Sequence, residues 1–286
     1  MKPLLLILVG VACLCGAAPA SAYWAYGHEI VAAIALRNVR PETRRAVDTL
    51  LAHSALLDTP TCPARTVAQA SNWAECVKTL GPRFAHIYAW HYQNVELCAP
   101  FDLAAACADG NCVSAQIERE IALLKNRRTP LHDRVEALVL LLHFVGDLHQ
   151  PPHASTRGDD LGGSKLRAGY GAYAPAGLSW HFIWDGPLAE RAISTPPSLV
   201  RAYSPRERTD MDGGTVADWS RENWEIARTG YAMLLGGDGC GPNPADPPHL
   251  SNEAIDTLVP IVRRQIERGG LRLARLLDDI FDRKGS

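Results

Sequence analysis

The stretch His143-Phe144-Val145-Gly146-Asp147-Leu148-His149-Gln150-Pro151-Pro152-His153 decides how this chain is read. It closes an apolar segment, Leu131 to Leu148, whose pattern predicts a helix. On a helix His143 and Asp147, four residues apart, share one face. Pro151 and Pro152 disfavour helical backbone before them, so the helix should stop near Gln150. His153 then lies on the loop just beyond. A second pair, His181 and Asp185, repeats the four-residue spacing within Trp180-His-Phe-Ile-Trp-Asp185. Imidazole nitrogen with carboxylate oxygen is the donor mix that suits zinc. A lone histidine on an apolar helix is more often a hydrogen-bonded core residue, and a single His-x-x-x-Asp says little. Two such pairs and a following histidine tilt the reading toward metal.

The flanking sequence is helical too. Glu29 to Val39 places Ile30, Ala33, Ile34 and Arg37 at helical spacing, and Pro41 opens the next segment, where proline is tolerated. Ala64 to Lys78, Val113 to Lys125, Thr215 to Leu235 and Ile255 to Phe281 continue the pattern. Gly158 to Gly171 and Gly236 to Pro248 are rich in turn formers and read as loops. Only Ile87 to Val95 has strand-like composition. With no repeat and no linker, the expectation is one compact, mainly α domain.

Composition sets the context. The chain has 286 residues, 29 Lys+Arg against 31 Asp+Glu, and 47% hydrophobic residues, a globular balance that excludes a disordered or collagen-like chain. Its formal charge of -2 provides no general basic surface, so a phosphate ligand needs a local attractor. Residues 1–22 read as a secretory signal: Lys2, an apolar run from Leu4 to Cys15, then Ala20-Ser21-Ala22 as the cleavage site. The run is short for a bilayer span, and no later stretch would anchor the chain in a membrane. Cleavage after Ala22 leaves a domain of residues 23–286 beginning Tyr23-Trp24, expected to be periplasmic or secreted and a monomer. Six cysteines stay behind: Cys62, Cys76, Cys98, Cys107, Cys112 and Cys240. An even set in an exported chain, without any Cys-x-x-Cys, reads as disulfides.

Other chemistries find no support. His28-Glu29-Ile-Val-Ala32 lacks the second histidine of the metalloprotease motif His-Glu-x-x-His. There is no phosphate-binding Gly-Lys-Ser/Thr loop and no Gly-x-Ser-x-Gly nucleophile turn.

Taken in order, the motifs resemble those of the zinc-dependent, single-strand-specific nucleases and 3′-nucleotidases of fungi, plants and bacteria, in the phospholipase C/nuclease superfamily. The resemblance spans Gly27-His28, Ala70-Ser-Asn-Trp-Ala-Glu75-Cys-Val-Lys78, Trp90-His91-Tyr92-Gln-Asn94, the 143–153 stretch, Gly162-Gly163 and His181 to Asp185. It ends with Trp219-Ser-Arg-Glu-Asn and Gly270-Leu-Arg-Leu-Ala-Arg-Leu-Leu. It implies a helical domain with a trinuclear zinc cleft. One zinc would be held by Glu75, His91, His143 and Asp147. A second, bridged through Asp147, would take His28 with the amino and carbonyl groups of Tyr23. The third would take His153, His181 and Asp185. Lys78 matches a basic position facing the phosphate, and Glu75, Lys78 and Asp147 would be the catalytic set. Tyr92 and Asn94 match base-stacking and base-hydrogen-bonding positions; an aromatic platform contributes about 1–3 kcal/mol per base and favours single strands. His149 matches a family histidine outside the ligand set, with a supporting role. Cys107–Cys112 and Cys98–Cys240 match family disulfides, leaving Cys62 and Cys76 as an extra pair. Zinc dications outweigh the three carboxylates, which supplies the local attractor for phosphate.

The implied activity is hydrolysis of single-stranded DNA and RNA to 5′-phosphate products, with 3′-nucleotidase activity. Three departures stand out. Tyr23 replaces the family's tryptophan, Glu75 its shorter aspartate, and Ser164 the asparagine of Gly-Gly-Asn. A zinc phospholipase C is the nearest rival, but such enzymes end the last ligand pair in Glu and set the first histidine further from the N-terminal aromatic. A non-enzymatic exported zinc-binding protein is another, and it would need neither Lys78 nor the Tyr92 and Asn94 pocket.

Overall fold

A computed structural model of the chain describes residues 25–172 and 174–282. Residues 1–22, read above as a signal, and Tyr23 therefore lie outside the described residues. The chain runs α1 (Ala25–Asn38), α2 (Pro41–Leu51), α3 (Val67–Ser71), α4 (Trp73–Val77), 3-10 turns over Lys78–His91, and β1 (Val95–Glu96). It continues α5 (Leu103–Ala106), α6 (Val113–Lys125), α7 (Leu131–Leu148), a 3-10 turn Pro151–Ala154, β2 (Ser155–Thr156), β3 (Arg167–Tyr170) and β4 (Ala174–Ser179). Then follow α8 (Trp180–Ile183), a wide turn Trp184–Leu188, α9 (Ala189–Ser194), α10 (Pro205–Met211), α11 (Val216–Leu235), β5 (His249–Leu250) and α12 (Asn252–Ile280).

The middle of the molecule is α7. From Ala137 to Leu148 every residue is buried, as expected of a helix apolar on all sides and surrounded by other helices. α1, α3, α6 and α12 pack around it. α1 and α12 lie close because Gly270 has no side chain: a Cβ there would fall 2.5 Å from Cβ of Ile34. One further brace crosses the back of α7. His149, buried just past its end, donates from Nδ1 to the Val145 carbonyl at 2.7 Å and accepts at Nε2 from Arg272 of α12 at 2.9 Å. Burial and the Arg272 charge push its imidazole down to about 3, so it stays the neutral acceptor that this bond requires. Arg272 in turn pairs with Glu222 of α11 at 2.8 Å.

Strands are few and serve as stitches. β1 and β2 pair in parallel, Val95 opposite Ser155, and Gln93 N–H donates to the His153 carbonyl at 3.0 Å. This lacing holds the segment after His91 beside the segment after His153. β3 lies between β4, antiparallel, and β5, parallel. The cysteines pair Cys62–Cys76, Cys98–Cys240 and Cys107–Cys112, with Cα separations of 5.7, 5.6 and 5.5 Å.

Three local expectations are corrected. Ile87 to Val95 is not a strand: up to His91 it is 3-10 turns, and only Val95 lies in β1. The buried residues Phe84, Ile87 and His91 recur every three or four positions, so burial there follows a helical period that β-rich composition concealed. Ala64 to Lys78 is not one helix. It breaks at Asn72 into α3, capped by Thr66 and Gln69, and α4. The glycine-rich segment 158–171 contains β3, which pairs with the following β4 and with the two-residue β5 some eighty positions later, a partner that local composition does not reveal.

Gly270→Ala should force α12 away from α1 and cost about 1–3 kcal/mol, the usual range for overpacking. A urea unfolding midpoint equal to wild type would show that the helices have slack.

Candidate metal centre

The centre forms where α7 delivers His143 and Asp147 one turn apart, with His143 Nε2 3.2 Å from Asp147 Oδ2. Asp147 is 1% exposed, yet four imidazoles surround its carboxylate. His28 of α1 places Nε2 3.4 Å from Oδ1, and His91 places Nδ1 2.9 Å from Oδ2. His153, on the turn after α7, puts Nδ1 3.5 Å from Oδ1. α1 reaches this close because residue 146 is glycine, where a Cβ would stand 2.7 Å from His28 Nδ1. The His28 ring can therefore stack on His143, with centroids 3.8 Å apart and planes 17° from parallel.

Backbone carbonyls fix the orientation of three rings. His143 donates from Nδ1 to the Ser71 carbonyl at 2.6 Å, His153 to the His91 carbonyl at 2.8 Å, and His181 to the Gly162 carbonyl at 3.0 Å. Each bond puts the proton on Nδ1 and leaves the Nε2 lone pair facing the centre, the arrangement that metal-binding histidines use. Gly162 and Gly163 hold positive φ, and a Cβ on Gly162 would fall 2.4 Å from the Pro152 carbonyl oxygen, so the loop carrying that carbonyl has room only for glycine.

His181 Nε2 approaches Asp185 Oδ2 at 3.2 Å, one turn apart across α8 and the wide turn, and His153 Nε2 lies 3.7 Å from Oδ1. Gln150 donates from Nε2 to the same carboxylate, and its Oε1 accepts the His153 N–H at 3.3 Å. Sequence reasoning missed Gln150; its only signal was its place inside the motif, between His149 and the prolines. Glu75 joins His91 and His143 in the remaining group and pairs with Lys78 at 2.5 Å. Glu29, from the metalloprotease-like sequence, instead accepts from Asn72 Nδ2 at 3.1 Å and ties α1 to the break between α3 and α4.

Three donor sets result: His28, His143 and Asp147; Glu75, His91 and His143; His153, His181 and Asp185. Within each, the donor atoms lie within 4.8 Å of one another. The chemistry of these sets fits zinc, since every donor is imidazole nitrogen or carboxylate oxygen. The Nε2 atoms of His91, His153 and His181 are buried without a hydrogen-bond partner, a costly state that a bound cation relieves. Charge is poised in the same sense. Burial alone would raise Asp147 and Asp185, but the neighbouring imidazoles outweigh it and hold both carboxyls well below the usual range. Burial alone would lower His143 and His181, but Asp147 and Asp185 outweigh it and raise both. Burial dominates at His91 and pushes it down to about 4.

The two residues matched to base recognition lie at the edge. Tyr92 is half-buried and stacks on His153, centroids 4.8 Å apart at 25°. Burial, with Asp147 and Asp185 adding to it, raises its phenol, which stays protonated. Asn94 is exposed, at a φ of 45° that asparagine tolerates better than most residues.

Comparison with known proteins agrees with this geometry. A family model described as S1/P1 nuclease matches residues 23–282. The chain is 25% identical over 288 residues to endonuclease 3 of Arabidopsis thaliana, covering 90% of this chain and 88% of that protein. Nuclease S1 of Aspergillus oryzae is 24% identical over 279 residues, covering 88% and 89%. Nuclease P1 of Penicillium citrinum is 23% identical over 288 residues, covering 90% and 97%.

Because His143 and His181 hold protons above the ordinary imidazole range, protons and metal compete for them. Zinc affinity should therefore fall steeply as pH drops from 7.5 to 5.5, measured by competition with a chromophoric chelator. A flat profile after correction for the chelator's own protonation would contradict the assigned donors.

Proposed function

The chain belongs to the S1/P1 nuclease family, and from that membership we propose an exported zinc endonuclease that cuts single-stranded DNA and RNA to 5′-phosphate products and removes the phosphate of 3′-nucleotides. As a member of that family it is a hydrolase acting on phosphodiester bonds. The observation that carries the finer reading is the set of three contiguous donor groups, two of them sharing His143, with Asp147 in the middle. Export agrees with the three disulfides, which persist in an oxidising compartment. Among the described residues no helix is long and apolar enough to cross a membrane. In this reading residues 1–22 are the signal and 23–286 the nuclease domain.

Three zinc ions are proposed. One takes Glu75, His91, His143 and Asp147; one takes His28, Asp147 and the terminal amino and carbonyl groups of Tyr23; one takes His153, His181 and Asp185. When bound, zinc supplies Lewis acidity and lets water act as a nucleophile near neutral pH. The chain's own residues do the rest. Asp147, surrounded by imidazoles, keeps its charge in the core and holds the first two donor groups in register. Lys78 presents an ammonium paired with Glu75 of the donor groups, and a phosphate oxygen would compete with Glu75 for it. Tyr92 offers the face away from His153 to a base, and Asn94 offers its exposed amide to the base edge. A duplex hides base faces, so this arrangement favours unpaired strands.

Chelation should abolish hydrolysis of denatured DNA and lower thermal stability, because donors from distant segments come together only in the folded chain, so metal binding adds to folding free energy. Activity on denatured DNA should exceed that on duplex DNA, with phosphatidylcholine inert; the reverse preference would favour the phospholipase reading. Elemental analysis finding fewer than two zinc ions per active chain would sink the trinuclear assignment.

The N-terminus gives a separate expectation. An α-amino group has a reference pKa of about 7.7–8.0 and yields its proton to a metal easily, whereas a peptide nitrogen is a poor donor. A protein with an extra Met before Tyr23 should therefore lose the zinc shared with His28 and most of its turnover. Full zinc content and activity in that form would show that Tyr23 is not a ligand.

A further inference from the structure

Behind the His153, His181 and Asp185 group lies a carboxylate that none of the assignments above uses. Asp160 is 9% exposed and sits in the glycine-rich loop between β2 and β3. Its Oδ1 accepts the backbone N–H groups of Arg157 and Gly163, each at 3.0 Å, and the Thr156 hydroxyl at 3.3 Å. Its Oδ2 accepts the hydroxyl of Tyr231, a fully buried residue of α11, at 2.5 Å. The loop it closes ends on His181 by two bonds: the Gly162 carbonyl accepts His181 Nδ1–H at 3.0 Å, and the Gly163 carbonyl accepts His181 N–H at 3.3 Å.

We propose that Asp160, anchored by Tyr231, is the positioning residue for His181, setting its ring orientation and tautomer through the Gly162–Gly163 turn. The inference rests on the reading of His153, His181 and Asp185 as a zinc site. Four donors converge on one carboxylate from the loop itself and from α11, so the turn is tied to a rigid helix rather than left to its own glycines. Both glycines hold positive φ, at 61° and 82°, and the freedom that lets them adopt it would also let them leave it. Without Asp160 the Gly162 carbonyl loses its fixed direction. His181 Nε2 then no longer faces Asp185 and His153 in one geometry. Arg157 extends the tie, donating to the Gly239 carbonyl at 2.7 Å and to Asn243 Oδ1 at 2.6 Å, beside the cysteine that bridges to Cys98. Ser164 follows this turn directly, so Asp160 also offers a reason why the turn keeps its shape without the family's asparagine amide.

The test uses the mature, zinc-loaded protein and three variants: Asp160→Ala, Tyr231→Phe and, as reference, His181→Ala. Each is equilibrated in zinc buffers of graded free concentration, and bound zinc is counted by elemental analysis alongside a thermal unfolding curve. Loss of an outer partner of a liganding histidine typically weakens metal binding about 10- to 100-fold. Asp160→Ala should therefore weaken one class of zinc by that factor, leave the other class unchanged, and regain kcat at high free zinc. Combining it with His181→Ala should weaken zinc binding no further than His181→Ala alone. If Asp160→Ala lowers the melting temperature but binds every zinc as tightly as wild type, its role is structural only and the inference fails. Should that variant not fold, Tyr231→Phe decides: a several-fold weakening of the same zinc class supports the inference, and wild-type affinity overturns it. If His181→Ala itself binds zinc like wild type, the zinc-site reading has failed instead, and the inference goes with it.

Discussion

A single buried carboxylate sets the conditions that the rest of this molecule meets. Asp147 sits at the end of a helix that is apolar on every side, where an isolated charge would be very costly. Four imidazoles from four separate segments surround it, and the unpartnered Nε2 atoms of His91 and His153 are then trapped in the core as well. Neither side of this arrangement is comfortable alone. A protonated histidine beside Asp147 satisfies the carboxylate, but its neighbours repel it. A cation held between them satisfies both, which is why the donor set reads as a metal centre and not as a set of core hydrogen bonds. Removing one member of such a group strands the others, typically at about 3–5 kcal/mol for a buried ion pair.

The fold can be understood as the support for that group. α7 brings two donors on one face, α1 brings a third through the gap left by Gly146, and the 3-10 turns before β1 bring the fourth. β1 and β2, only two residues each, contribute little burial but lock the His91 and His153 segments side by side. The carbonyls of Ser71, His91 and Gly162 do the finer work, because each selects the tautomer of the ring that donates to it. Two of these three carbonyls stand at irregular points of the chain, at the end of the 3-10 turns and in a glycine turn. There the backbone is free to point an oxygen sideways instead of along a helix axis. On the far side of α7, His149, Arg272 and Glu222 form a polar brace, each bonded to the next, so the end of the helix is held from both directions.

Much of this was legible in the sequence, for reasons that differ between elements. The long helices α6, α7, α11 and α12 announced themselves because their apolar residues repeat over several turns, and their predicted limits differ from the observed ones by a few residues at most. The segment 87–95 misled because its composition favours strands while its burial follows a helical period as far as His91, and burial is set by the partner surface. Asn72 broke an apparently continuous helix where no local signal was strong. Gln150, Asp160 and Arg272 escaped notice because nothing about a single polar residue reveals which distant group it will meet.

The sequence by itself determined the class of the protein and the chemistry of its donors: helical periodicity, a leader-like start, six cysteines to pair, and histidines with carboxylates at four-residue spacing. These are local properties, carried by residues near one another along the chain. Only the tertiary structure decided that His28 meets His143, that Asp147 lies among all four imidazoles, and which nitrogen of each ring faces inward. Those outcomes depend on helices crossing at a distance that Gly146 and Gly270 permit, and on carbonyls aimed by turns elsewhere in the chain. Hydrogen bonding and metal ligation are directional and short-ranged, so they are settled by the packing of whole elements and not by the spacing of the residues that take part.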